Sequence, residues 1–274
     1  MTITNENDEA YENAAFINNS EDIVADWIKK AEHFRIKRLE SGTAEIDISY
    51  GASNRQKFDI FQPNTKPLGT VIFVHGGYWI DLDKSYWSHF ASGILANGYR
   101  CIIPSYDLCP TVKISDITGQ IKSLMCYVLE KYDGMISLVG HSAGGHLVSR
   151  MVSTDQWNSS KLRSDLLKRL HHVVAISPIA DLRPLLKTSM NNKFCLNRKT
   201  AEKESPVFHT KMSIPVTVLV GEKERPAFLS QAESLSAAWS CLKIIAKGKH
   251  HFSILDDLEN ERSELVNLLT KICE

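Results

Sequence analysis

The chain has 274 residues, 43% of them hydrophobic, with 32 basic and 32 acidic side chains and a formal net charge of zero. That length suffices for one large α/β domain with a full core, and the balanced charge argues against a general nucleic-acid binder, which needs a basic excess against phosphate. The polar, acidic start has neither the basic nor the apolar region of a secretory leader, and no apolar run approaches a membrane span, so a cytoplasmic protein is expected. Six cysteines (101, 109, 126, 195, 241 and 273) are scattered without a C-x-x-C pair. They read as reduced thiols, with Cys109 held open because it falls in a loop near the expected site.

In chain order, residues 1–7 are expected to be disordered. Residues 8–40 read as a helical segment, with Ile23, Trp27, Ala31 and Phe34 at helical spacing. Residues 43–50 and 57–61 alternate apolar and polar and predict an antiparallel pair. Residues 63–67 form a turn. Strands are then predicted at 70–75, 99–104, 135–139, 172–177, 216–220 and 242–246. Helices are predicted at 84–97 (closed by Gly98), 115–131, 226–240 and 252–273. A helix also follows residues 140–144. Strands alternating with helices imply a mostly parallel sheet with helices on both faces. Residues 177–215 lack a clear strand and predict a small helical cap within a single domain spanning 1–274.

Two glycine-rich turns end predicted strands. The apolar run 135–139 stops at Gly140-His141-Ser142-Ala143-Gly144, a G-x-S-x-G pattern. Strand, sharp turn and helix are the context of a nucleophile elbow, in which the serine hydroxyl projects from the sheet. Side chains at Gly140 or Gly144 would collide with the neighbouring strand or helix. Upstream, the run 70–74 ends in His75-Gly76-Gly77-Tyr78-Trp79. Adjacent glycines there aim backbone amides inward, as an oxyanion-binding loop requires. The amides of Gly77, Tyr78 and Ala143 are the expected oxyanion donors. Tyr78 and Trp79 are candidate substrate-binding rings, with core packing an equal reading for Trp79.

A serine nucleophile needs a base, and the base a carboxylate. These groups gather beyond the carboxyl ends of parallel strands, in the chain order acid and then histidine. The loop after 216–220 offers Glu222 and Glu224, of which Glu224 is favoured. The loop after 242–246 offers His250 and His251, of which His251 is favoured. His75, His141 and His146 precede or flank the two turns and read as structural. Adjacent histidines chelate one ion poorly and no third ligand is spaced for it, so no metal site is expected.

With these residues in place, the chain resembles the arylformamidase (kynurenine formamidase) group of the α/β-hydrolase fold, within the esterase/lipase superfamily. His75 to Trp79 is similar to that group's oxyanion signature, and Gly140 to His146 to its elbow. Tyr106-Asp107-Leu108-Cys109-Pro110, Asp181-Leu182-Arg183-Pro184-Leu185, Ser205-Pro206, His251-Phe252-Ser253 and the leading Ala10-Tyr11-Glu12-Asn13 also resemble it. Glu224 departs from the aspartate usual there.

The resemblance implies a serine hydrolase acting on an aryl formamide such as N-formyl-L-kynurenine, with a carboxylesterase on short acyl esters and a non-catalytic binding protein as alternatives. No cofactor is expected. The expected partner is a small-molecule substrate, with no nucleic acid and no membrane, and a homodimer is left open.

Overall fold

The computed structural model describes residues 5–158 and 164–271. Eight strands form one sheet: β1 (Ala44–Ser49), β2 (Lys57–Phe61), β3 (Gly69–Val74), β4 (Arg100–Pro104), β5 (Met135–His141), β6 (Leu170–Ile176), β7 (Val216–Gly221) and β8 (Leu242–Ala246). Their spatial order is β1-β2-β4-β3-β5-β6-β7-β8. The pairs β1–β2 and β2–β4 are antiparallel. From β4 through β8 every pair is parallel. Fully buried β3 reads as a continuous apolar run because helices cover both sheet faces.

One face carries the helices α3 (Ile114–Lys131), α4 (Ala143–Met151) and α5 (Pro226–Trp239). The other carries α1 (Ser20–Glu40), α2 (Ser92–Ala96) and α6 (Glu264–Thr270). Alternation along β3 divides its side chains between the layers: Ile72 and Val74 join the first, Val71 and Phe73 the second. The mostly parallel α/β architecture expected from the sequence is thus present. The stretch 177–215 carries the short helical turns Arg183–Lys187, Asn191–Phe194, Arg198–Glu204 and Pro206–Phe208.

The chain runs from β3 outward to β4, then crosses back to β5 on the other side of β3. The direction of winding therefore reverses at the β3/β5 boundary, and a crevice opens beyond the carboxyl ends of strands at such a point. Both glycine-rich turns lie there, after β3 and after β5.

Three predicted helices are broken. Residues 8–40 split into Asp8–Tyr11, a 3-10 turn at Ala14–Phe16, and α1. Asn19, just before α1, adopts φ 56°, a left-handed conformation that asparagine tolerates. Residues 84–97 form 3-10 turns at Lys84–Tyr86 and Ser88–Ala91 before α2. That segment is buried almost all round, so packing rather than periodicity sets its path. Residues 252–273 divide into a 3-10 stretch, Ser253–Leu258, and α6. Between them Asn260 Oδ1 accepts from Arg262 N at 3.0 Å, and Ser263 caps α6 by accepting from Val266 N at 3.1 Å. The predicted end of that helix at Cys273, and residues 1–4 of the predicted disordered start, lie outside the described residues.

At Gly144 an added Cβ would lie only 2.0 Å from a backbone atom, the Val74 carbonyl oxygen. Neither backbone can retreat, because β3 is paired on both sides. Gly144→Ala is therefore expected to destabilise the protein by about 3 kcal/mol or more, the upper range for an overpacked core. Urea unfolding reads this, and a change within about 0.5 kcal/mol, the size of a neutral surface substitution, would refute the account.

Candidate active site

The elbow after β5 holds Ser142 at φ 56°, ψ −115°. Non-glycine residues avoid this region, at a cost of about 1–3 kcal/mol, unless the surroundings over-determine it. Here Ser142 N donates to the Ile176 carbonyl of β6 at 2.8 Å, and His146 N donates to the Ser142 carbonyl at 3.1 Å. The serine is locked between a strand and a helix start. Gly140 is required as well: a Cβ there would lie 2.2 Å from the Gly144 carbonyl oxygen.

The turn after β3 follows the same logic. Gly77 has φ 104°, and a Cβ would lie 2.4 Å from the Asp81 carbonyl oxygen. Tyr78 and Trp79 continue at φ 50° and 56°. The loop closes by bonds from the Ile80 and Asp81 amides to the Gly77 carbonyl, at 3.0 and 3.1 Å. Among the described residues, the amides of Gly77, Tyr78 and Ala143 donate to no protein acceptor. His75 braces this loop. Its ring stacks on Tyr106 at 4.5 Å, and the Tyr106 hydroxyl donates to the His75 carbonyl at 2.8 Å.

The loops after β7 and β8 bring Glu224 and His251 together. His251 Nδ1 donates to Glu224 Oε2 at 2.7 Å. Glu224 Oε1 accepts from the Ser177 hydroxyl and from Gly221 N, the latter at 3.1 Å. Burial would raise the Glu224 carboxyl, but His251 and these two donors outweigh it and hold the group below its ordinary value. The competing residues serve elsewhere. Glu222 is exposed and accepts from Gly248 N at 2.8 Å. His250 Nδ1 accepts from the Phe252 and Ser253 amides, at 3.2 and 3.3 Å, and so caps the turn that follows.

Ser142 and His251 border one cavity of about 510 Å³, together with Gly77, Tyr78 and His141. Six aromatic rings line it: Tyr11, Trp27, Tyr78, Tyr86, Trp87 and Phe252. His141, next to the serine, donates from Nε2 to the His251 carbonyl at 2.8 Å and so ties the elbow to the loop after β8. Chemically, the arrangement sets a strained hydroxyl, a carboxylate-oriented imidazole and unpaired amides around an apolar chamber.

Trp79 corrects one expectation. It is fully buried, packed edge-on against His146 at 5.0 Å and Phe194 at 5.7 Å, and does not border the cavity. Successive positive φ angles turn Tyr78 toward the cavity and Trp79 into the core. Cys109 is also buried, and burial pushes its thiol up to about 11, which removes it as a nucleophile at neutral pH. The wall built by Tyr11, Asn13, Trp27, Tyr86 and Trp87 was not legible as a site. Trp27 signals only the buried face of a helix, and by sequence residues 8–14 read as part of that same helix.

Burial lowers the imidazoles of His75 to about 4 and His146 to about 3, and holds His141 well below the ordinary value. All three are neutral at pH 7. An unfolded imidazole titrates near 6.5. Below that pH the unfolded chain binds more protons, so their contribution is complete above 6.5 and is lost as pH falls through the folded values. His146 Nε2 donates to the Glu204 carbonyl at 2.7 Å, a bond that glutamine can reproduce. His146→Gln is expected to lose less stability than wild type between pH 6.5 and 4 in urea titrations; parallel losses would contradict the assignment.

The BD-FAE family model matches residues 58–239. The kynurenine formamidase of Danio rerio is 27% identical, over 86% of this chain and 87% of its own length. That of Drosophila melanogaster is 23% identical, over 88% and 85%. A crystal structure from Silicibacter sp. tm1040, described provisionally as a thioesterase, is 45% identical with a TM-score of 0.92, covering 97% of this chain and 99% of that one. An arylesterase at 16% identity shares the fold, with a TM-score of 0.65 over 81% of each chain. The chain belongs to the BD-FAE family, has the α/β-hydrolase fold, and is related along most of its length to kynurenine formamidases.

Proposed function

We propose that the protein is a serine hydrolase that cleaves an aryl formamide such as N-formyl-L-kynurenine. The observation that carries this reading is the cavity itself: Ser142 and the Glu224-paired His251 border a chamber lined by six aromatic rings. Rings stack favourably on an aryl group, and the apolar wall strengthens every charge interaction within. The formamidase relatives support the same substrate class.

In this reading Ser142 Oγ attacks the formyl carbon while His251 takes its proton. The new carbon–oxygen bond places negative charge on the formyl oxygen, and the amides of Gly77, Tyr78 and Ala143 stabilise it. Each such donor is worth about 3 kcal/mol in the transition state. The carbon–nitrogen bond breaks as His251 returns the proton to the leaving aryl amine. Water, deprotonated by the same imidazole, then attacks the formyl-serine; His251 returns that proton to Ser142, and formic acid departs, ionising to formate as its remaining proton passes to solvent. Glu224 holds His251 with Nδ1–H toward the carboxylate, which leaves Nε2 free to accept. It also stabilises the imidazolium formed at each step.

A second reading has a specific observation behind it. The solved relative at 45% identity is described provisionally as a thioesterase, which favours an ester or thioester substrate for the same machinery. Kinetics on N-formyl-L-kynurenine, p-nitrophenyl acetate and S-phenyl thioacetate separate the two. The formamide reading expects the highest kcat/KM on the first; preference for either ester would replace it with the esterase reading.

Two substitutions test the assigned roles. Ser142→Ala is expected to lower kcat/KM roughly ten-thousand-fold or more on whichever substrate is preferred, and retention of activity would remove the serine mechanism. Glu224→Gln leaves the volume unchanged but no longer enforces the useful tautomer. It is expected to lower kcat by roughly a hundred- to ten-thousand-fold with KM little changed. The same loss in Glu222→Gln, with Glu224→Gln active, would reverse the choice of acid.

A further inference from the structure

The strap formed by residues 5–16 contributes Asp8, Tyr11, Glu12, Asn13 and Ala14 to the cavity lining. It is fixed rather than loose. Asn7 N donates to the Lys187 carbonyl at 3.0 Å, and Arg225 Nη2 donates to the Glu9 carbonyl at 3.1 Å. The Tyr78 hydroxyl donates to the Tyr11 carbonyl at 2.5 Å, and Gln231 Nε2 donates to the Tyr11 hydroxyl at 2.8 Å.

Within this fixed strap, Asn13 is only 7% exposed, yet its Nδ2 has no hydrogen-bond partner among the described residues. Its side chain does not cap the turn Ala14–Phe16 that follows. A buried amide donor without an acceptor opposes folding, so a group of this kind asks for an explanation. Trp87, which borders the same cavity, carries a second unpartnered buried donor, Nε1. Apolar rings and unpaired donors together fit a flat aromatic molecule that carries an oxygen acceptor. A formyl or acetyl group offers only one carbonyl oxygen, which belongs with the loop amides. The remaining acceptor must therefore sit on the aryl part.

We propose that Asn13 is a substrate-binding residue whose carboxamide donates to a carbonyl oxygen attached to the aromatic ring of the leaving group. The inference rests on the serine-hydrolase reading of this cavity but not on the identity of the acyl group. It makes the N-terminal strap a determinant of specificity, selecting aryl substrates with a ring acyl group over unsubstituted ones.

The test uses two substrate pairs with wild type, Asn13→Ala and Asn13→Ser. One pair is formanilide and N-(2-acetylphenyl)formamide; the other is phenyl acetate and 2-acetylphenyl acetate. For Asn13→Ala, KM for the acetyl-bearing member should rise roughly tenfold, the equivalent of one lost hydrogen bond, with kcat within about twofold. The unsubstituted member should be unaffected, and the Asn13→Ser hydroxyl should restore part of the loss. Equal effects on both members, or none on either, would overturn the proposal. Turnover of esters but not formamides would remove the formamide reading and leave the ester pair to decide the role of Asn13. Calorimetry with 2-aminoacetophenone against aniline reads the same contact without turnover. Tighter binding of the ketone that survives in Asn13→Ala would also overturn it.

Discussion

The close crossing of the elbow over β3 is the constraint on which the rest of the molecule depends. At Gly144 the start of α4 lies so near the Val74 carbonyl that no side chain fits between them. This contact sets the height of Ser142 above the sheet and forces its strained backbone. It also fixes the spacing between the turn after β5 and the turn after β3. The unpaired amides of Gly77 and Tyr78 therefore keep a constant relation to the serine. Strain at Ser142 persists because its amide and carbonyl are both held, by β6 and by the first turn of α4.

A second pair of loops completes the site by a different physical means. Glu224 is almost wholly buried, and an isolated carboxylate there would be driven to its neutral form. Three donors prevent this: His251, the Ser177 hydroxyl and Gly221 N. They belong to the ends of β8, β6 and β7, so three adjacent strands converge on one carboxylate. His141 extends the network from the elbow through its bond to the His251 carbonyl. The distances among these groups are thus set by sheet register and backbone bonds rather than by flexible side chains.

What the sequence made legible was local. Glycines at 76, 77, 140 and 144 mark places where a chain reverses tightly after an apolar run, and each such place proved to be the end of a strand. Chain order and strand ends narrowed the acid and base to two adjacent candidates each. Which of Glu222 and Glu224 turns inward depends on Ser177, 47 residues upstream, and no local pattern carries that. The same limit applies to Trp79, whose ring direction is set by two consecutive left-handed residues. The lining from residues 8–14 was hidden for a different reason. Asparagines at 13, 18 and 19 permit turns that interrupt a helix, while apolar spacing across 23–34 favours extending that helix upstream.

The strap's mode of attachment bears on how specificity is built. It is held by main-chain atoms, the Tyr11 carbonyl, the Asn7 amide and the Glu9 carbonyl, and by the side chains of Glu6, Asn7, Asp8 and Tyr11. Glu12 and Asn13 border the cavity without a side-chain bond of this kind. The catalytic loops are the reverse, since a changed side chain at Gly144, Ser177 or Glu224 disturbs the geometry shared by all of them. Chemistry and recognition are thereby separated. On the proposed reading, a sheet-fixed set of groups performs the reaction, and the strap supplies one wall of the cavity. If Asn13 holds the aryl group as proposed, this separation is what would let KM change there while kcat stays constant.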